Sequence, residues 1–263
     1  MNTITSSDIL VRADTGGIAT LTLNRPAARN ALSMDLMAAL LAELGQIATS
    51  PAVRAVVIAA EGPAFCAGHD LREVRANPSR AAYEALFTRC SELMLAITRL
   101  PQPVIARVHG TATAAGCQLV ATCDLAVAAD TAKFATPGVN IGLFCSTPMV
   151  AISRNVGRKQ TMEMLLTGET MDAHAACAAG LVNKCVAPDA LDAEIDAWCR
   201  QIASKSPLTL RIGKEAFYRQ LDLPLEDAYA YASGVMVGNM MTRDAEEGID
   251  AFLEKRPPEW AGE

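Results

Sequence analysis

The sequence predicts an α/β fold, and three observations carry that prediction. Short uncharged apolar runs recur as far as about Pro188, stretches of helical period lie between them, and beyond that point only helical spacing continues. Strands alternating with helices over 263 residues form the pattern of an α/β protein. Residues 16–24 (GGIATLTLN) alternate, with Ala19, Leu21 and Leu23 on one face, and read as a strand. Ala31–Ile47 reads as a helix with Leu32, Met37, Leu40, Leu41 and Leu44 inside. Arg54–Ala60 (RAVVIAA) is a continuous apolar run, as a strand buried on both faces requires. A loop, EGPAFCAGHD, follows it, then a helix from about Ser79 to Leu100 that ends before Pro101. Val104–His109 and Leu125–Ala129 read as strands, each followed by a turn and a helix. Leu225, Ala228, Tyr229, Ala232, Val235, Met236 and Met240 recur at helical spacing. A last helix spans Thr242 to about Lys255, acidic at its start, basic at its end and stopped by Pro257.

Composition narrows the function classes. The chain is 51% hydrophobic and 20% charged, the mix of a globular protein. Its net charge of −6, with no basic run, argues against nucleic acid as a partner but leaves room for one anionic ligand in a local basic pocket. The longest uncharged stretch, Phe134 to Ser153, is interrupted by Pro137, Gly138, Gly142 and Pro148, so no membrane span is expected. The eight cysteines form no C-x-x-C pair and read as buried free thiols. Three histidines with no H-E-x-x-H spacing predict no metal site. The first residues, MNTITSSDILVR, lack a secretory apolar core, and a reduced, cytoplasmic protein is the expectation.

Two small-residue loops are candidates for chemistry: Ala64–Leu71 (AFCAGHDL) and Gly110–Gly116 (GTATAAG). Both lie past the carboxyl ends of predicted strands, where α/β sheets bind ligands, and the second opens a helix. Small side chains let a ligand approach backbone N–H groups, and two such groups converging on one point make an oxyanion hole. Either loop alone reads equally well as close packing of a turn against a sheet. No G-x-S-x-G elbow, Walker A loop or G-x-G-x-x-G is present.

NRPAARNAL at 24–32, AFCAGHDL at 64–71, AAGCQLVATCDLAVAA at 114–129, the F-x-x-P-x-x-x-x-G of 134–142 and GIDAFLEKRPP at 248–258 together resemble the crotonase (enoyl-CoA hydratase/isomerase) superfamily, in family order and spacing. The stretch GLFCSTP at 142–148 is similar to one of its subgroups, that of enoyl-CoA hydratase domain-containing protein 3. The resemblance implies a spiral of ββα units over residues 1–200 holding the CoA site. It implies a C-terminal helical region over 201–263 that assembles homotrimers, often paired into hexamers. It also implies an acyl-CoA thioester as ligand, with CoA as part of the substrate and no separate cofactor. The thioester oxygen would be held by the backbone N–H groups of His69, beside Ala67 and Gly68, and of Ala115, beside Gly116. Ala28, Arg29 and Ala31 map onto the segment lining the CoA arm, and Lys255 onto a lysine near the CoA phosphates. Arg29 and Lys255 read equally as solvated surface charges.

The resemblance also exposes departures. Family hydratases use two glutamates; here Gln118 and Gly138 occupy those positions, and Ser146 stands where some relatives carry an aspartate. Glutamine holds a water without accepting its proton, so ordinary hydration is in doubt. AGHD resembles the first loop of the superfamily's methylmalonyl-CoA decarboxylases, whose chemistry needs an oxyanion hole and a proton donor but no carboxylate base. Those relatives, however, carry a tyrosine about where Cys145 stands. The His69 imidazole is expected to pair with a neighbour such as Asp70 and leave the chemistry to the backbone. Cys117 and Cys145 are expected to pack, His109 to end a strand, and Asp124 to fix a turn. Two classes therefore stand: a lyase or isomerase of fatty acid metabolism acting on acyl-CoA, and a non-catalytic acyl-CoA-binding protein.

Overall fold

The computed structural model describes the backbone of residues 3–7 and 9–263, with side chains from residue 9 onward. The chain opens with β1 (Thr3–Ser7), β2 (Leu10–Thr15) and β3 (Ile18–Leu23), an antiparallel meander. Helix α1 (Met34–Ala48) follows, then β4 (Ala55–Ala60) and a three-residue strand, β5 (Ala64–Cys66). Helices α2 (Leu71–Ala76) and α3 (Arg80–Arg99) complete that unit. The next unit is β6 (Val104–Val108), β7 (Thr111–Thr113) and α4 (Ala115–Thr122); the third begins with β8 (Leu125–Ala129) and β9 (Lys133–Ala135) and continues into α5 (Pro148–Ile152) and α6 (Arg158–Thr167). After β10 (Met171–Asp172), α7 (Ala173–Ala178) and β11 (Lys184–Val186) the chain is helical: α8 (Leu191–Ala203), α9 (Pro207–Gln220), α10 (Leu225–Met240) and α11 (Arg243–Glu254).

Each ββα unit sends its longer strand into one sheet and its short strand into another. The large sheet has the order β1-β2-β3-β4-β6-β8-β11, parallel from β3 onward, and the small one the order β10-β9-β7-β5. The α/β expectation holds, with a spiral of ββα units and helices at the C-terminal end. Strands β5, β7 and β9 are each three residues long, too short to show a period of two, so the sequence reading took the first two as loops. Strand β2 also went unread; its residues are mostly half-buried and do not alternate cleanly.

Burial explains the register. All six residues of β4 are buried because both faces are covered: Val56 and Ile58 face the main core, while Val57 packs with Ile105, Val127 and the α8 residues Leu191 and Ile195. Helix α1 begins three residues later than the periodicity predicts. Ser33 is its N-cap, accepting the Leu36 N–H at 3.2 Å, and Leu32 instead pairs in extended form with His69. Helix α3 begins as predicted, with Ser79 accepting the Ala82 N–H at 3.2 Å.

The C-terminal helices dock through polar contacts. The Lys214 ammonium on α9 donates to the carbonyls of Ile97 and Gln102, both at 3.0 Å, and to Asp124 at 2.5 Å. Tyr218 donates to the other Asp124 oxygen at 2.8 Å, and the Val104 N–H donates to Asp124 at 2.7 Å, so this carboxylate joins β6 to α9 rather than fixing a turn. Among the described residues no helix is long and apolar enough to cross a membrane, and no group of side chains is arranged to hold a metal ion.

Candidate active site

The first loop is shaped by its pairing with the 29–32 segment. The Ala67 N–H donates to Arg29, the Leu32 N–H to Gly68 at 2.8 Å, and the Asp70 N–H back to Leu32. Leu32 thus grips residues 68 and 70. In extended backbone the intervening residue turns its N–H the other way, and the amide of His69 meets no acceptor among the described residues. Gly68 sits at φ +93°, where a side chain is strained.

The second loop delivers a helix N-terminus. Ala114, at φ 49° and ψ −118°, precedes α4 and offers no side-chain cap. A non-glycine residue at that φ is strained, and such strain concentrates where backbone is aimed at a ligand. The first amides of a helix have no intrahelical acceptor, and that of Ala115 meets none elsewhere among the described residues.

The two loops touch. A Cβ placed on Gly68 would lie 2.9 Å from the Ala114 methyl and 3.3 Å from the Ala115 nitrogen. One placed on Gly116 would lie 2.1 Å from the Cys66 carbonyl oxygen, so glycine alone allows α4 to approach β5. Thr113 locks the pair, its hydroxyl donating to the Ala67 carbonyl at 3.1 Å. Ala67, Gly68, His69, Ala115 and Gly116, chosen from two separate stretches of sequence, therefore meet in space.

The segment expected to line the CoA arm is tied to the same place. Ala28 is half-buried, Arg29 exposed and Ala31 buried. Arg29 and Asn30 both take left-handed conformations, at φ 51° and 54°. Buried Asn30 holds them: its Oδ1 accepts the Arg25 N–H at 2.8 Å, and its Nδ2 donates to Glu61 at 2.7 Å and Ala64 at 2.8 Å. Arg25 donates to the Ala31 carbonyl and pairs with Asp70 at 2.8 Å. The Asp70 carboxyl is consequently held below its ordinary range, chiefly by Arg25. Sequence reasoning singled out none of Arg25, Asn30 or Asp70 as site-building residues, because their partners lie 31 to 45 positions away.

His69 departs from expectation. Asp70 is taken by Arg25, and the imidazole instead lies edge-on to Phe87, ring centres 5.5 Å apart. Both its nitrogens are buried without a hydrogen-bond partner among the described residues. Burial lowers its pKa, so the ring is neutral at pH 7.

Gln118 is buried on α4, its Oε1 in a long contact of 3.9 Å with the Cys90 thiol. A Cβ on Gly138 would lie 2.7 Å from the Leu143 carbonyl oxygen and 2.9 Å from the Cys145 sulfur. The 143–145 turn thus fills the space that a side chain at 138 would use. Ser146 is exposed and contacts the Phe144 carbonyl of its own turn at 3.4 Å. Burial pushes the Cys117 thiol up to about 12 and raises that of Cys145, so neither is a thiolate. His109 directly follows β6, its Nε2 2.8 Å from the Gly62 carbonyl. Lys255 is exposed at the end of α11, which packs on α9 and α10; no hydrogen bond or ion pair joins it to the loops among the described residues. A separate cavity of about 560 Å³, lined by Thr20, Thr22, Arg107, His109 and Asp192, lies on the opposite face of the large sheet.

Fold and paired loops define an α/β protein of ββα units in which two loops meet at Gly68 and Ala114–Ala115. The family model for enoyl-CoA hydratase/isomerase matches residues 13–263, and the chain belongs to that family. Rat enoyl-CoA hydratase domain-containing protein 3, mitochondrial, is 46% identical over 245 residues, 93% of this chain and 82% of the relative. The crystal structure of an enoyl-CoA hydratase from Mycobacterium smegmatis matches with a TM-score of 0.95 and 58% identity, covering 97% of this chain and 99% of that one. That of human enoyl-CoA hydratase domain-containing protein 3 matches with a TM-score of 0.91 and 45% identity, covering 98% and 99%. The subgroup indicated by GLFCSTP is thus among the relatives.

The comparisons correct the expected cytoplasmic location. The rat, mouse, Xenopus laevis, human and zebrafish relatives are all named mitochondrial. The expectation rested on a missing secretory apolar core, which bears only on export; mitochondrial addressing uses amphipathic, Arg-rich segments instead.

Proposed function

We propose that the chain binds an acyl-CoA thioester and polarises its carbonyl between the amide N–H groups of His69 and Ala115. The observation that carries this reading is the contact of the two loops at Gly68 and Ala114–Ala115, with both amides free of other acceptors among the described residues. Fixed backbone donors of this kind contribute roughly 3 kcal/mol each to an enolate-like transition state. CoA enters as part of the ligand, its arm along Ala28, Arg29 and Ala31, and no separate cofactor takes part. Lys255 is the candidate for the CoA phosphates, and the chain assembles as a homotrimer or hexamer. The exposed Leu225, Tyr229, Met241 and Phe252 of the C-terminal region support such an assembly.

The residues present disfavour ordinary hydration. Gln118 accepts no proton, the space beside Gly138 is filled by the 143–145 turn, and Ser146 turns to its own loop. Each missing acid–base group costs on the order of 10²–10⁴-fold. The second reading is decarboxylation of an α-carboxylated acyl-CoA, favoured by the same filled space, since it needs no carboxylate base.

Crotonyl-CoA hydration by the parent and by Gln118→Glu, alongside acyl-CoA affinity by calorimetry, tests the reading. A parent that binds acyl-CoA but hydrates crotonyl-CoA at least ~10²-fold below ordinary enzyme rates supports it. Hydration at ordinary rates overturns the argument from the missing glutamates, and no acyl-CoA binding overturns the whole reading. Gly138→Glu is unsuitable as a gain-of-function variant, because its side chain collides with backbone.

A further inference from the structure

The segment 25–31 and the loop 67–70 are built as one unit. Backbone bonds join Ala67 to Arg29, Leu32 to Gly68 and Asp70 to Leu32. Arg25 spans the remaining gap, one guanidinium nitrogen on the Ala31 carbonyl and the other on Asp70. Both partners are largely shielded, with side chains 21% and 16% exposed. Asp70 also accepts the Arg72 and Glu73 N–H groups at the start of α2, so one carboxylate anchors the residue after His69 on two sides. Two consecutive left-handed residues store strain in the 25–31 segment, which the Asn30 bridges tie to residues 61 and 64 and the Arg25–Asp70 pair ties to the loop.

We propose that Arg25 and Asp70 are positioning residues that couple the segment touching the CoA arm to the amide of His69. Contact with the arm, remote from the reacting carbonyl, then tightens the donor that polarises it, which is how distant binding energy is used at a reacting centre. This inference rests on the acyl-CoA reading above.

The test uses infrared difference spectra of two thioesters with a ¹³C-labelled carbonyl: butyryl-CoA, and butyryl-N-acetylcysteamine, which lacks the arm. In the parent the bound CoA thioester is expected to show the larger red shift. Asp70→Asn keeps a good N-cap for α2 but removes the ion pair, and is expected to bring the butyryl-CoA band to the position of the short thioester. Affinity for butyryl-CoA is expected to fall about five- to tenfold, and that for the short thioester less than about twofold. Arg25→Gln is expected to act alike, and the double variant no more strongly than either single one. An unchanged butyryl-CoA band in folded Asp70→Asn and Arg25→Gln overturns the coupling, as does a parent in which both thioesters are equally shifted. A parent that takes up neither thioester overturns the acyl-CoA reading and this inference with it. A loss of stability alone moves no carbonyl band.

Discussion

Helices α4 and α10 are built on opposite terms. Every residue of α4, from Ala115 to Thr122, is buried, whereas α10, twice as long, buries none. The difference is one of partners. Helix α4 is enclosed by strands and helices of its own chain and approaches them at backbone distance, which is what holds the Ala115 amide in place. Helix α10 presents Leu225, Tyr229, Met236 and Val237 outward, more than half exposed, and packs chiefly on its neighbours α9 and α11. One region is packed on all sides within a single chain; the other leaves an apolar surface exposed.

The sharpest way to break that contrast is Gly116→Val. Its first side-chain carbon would overlap the Cys66 backbone carbonyl, with nothing flexible to yield. The cost is expected to exceed the ~5 kcal/mol at the low end of domain stability, so circular dichroism should show no cooperative unfolding. Lys214→Met tests the other region. It leaves the largely shielded Asp124 without its cation and is expected to cost about 3 kcal/mol in urea denaturation. Hydrogen exchange should rise first in α9 and last in α4. Phe252→Asp comes next. If other copies cover the C-terminal face, the mass by light scattering should fall from three or six times 27.8 kDa toward one chain, with about 1.5–3 kcal/mol lost per buried ring. A parent that already has the mass of one chain would remove the proposed assembly.

The smallest expected effect is in acid. Arg25 holds the Asp70 carboxyl below its ordinary range, so the folded state binds that proton less readily than the unfolded chain. The contribution is fully present above the unfolded value of about 3.9 and is lost as the pH falls through the lower folded value. Tm measured against pH should therefore drop more steeply below about pH 4 in the parent than in Asp70→Asn. His69 adds a second acid-side term, because burial keeps it neutral when folded. Stability falls as the unfolded imidazole gains its proton below about pH 6.5, and His69→Gln should flatten that limb.

How much was legible varied with the range of the interaction. Strand Leu125–Ala129 and the helix between Ser79 and Leu100 were readable because apolar period, capping serine and terminating proline are all local. The two amide loops were readable as small-residue stretches after strands, and only the resemblance joined them into one site. The Arg25–Asp70 pair, the Asn30 bridges and the turn filling the space beside Gly138 were not. Each depends on which groups the folded chain brings within about 3 Å of one another, and residue types alone do not carry that.

By itself the sequence determined the α/β class, the apolar interior, the absence of carboxylates at 118 and 138, and the glycines that permit close approach. These are properties of composition, period and side-chain size. Tertiary structure alone decided that Gly68 meets Ala114, that Asp70 serves Arg25 rather than His69, and that α9 hangs from Asp124. Folding sets those pairings by closing loops tens of residues long, where the outcome depends on the packing of the whole core rather than on any neighbour in sequence.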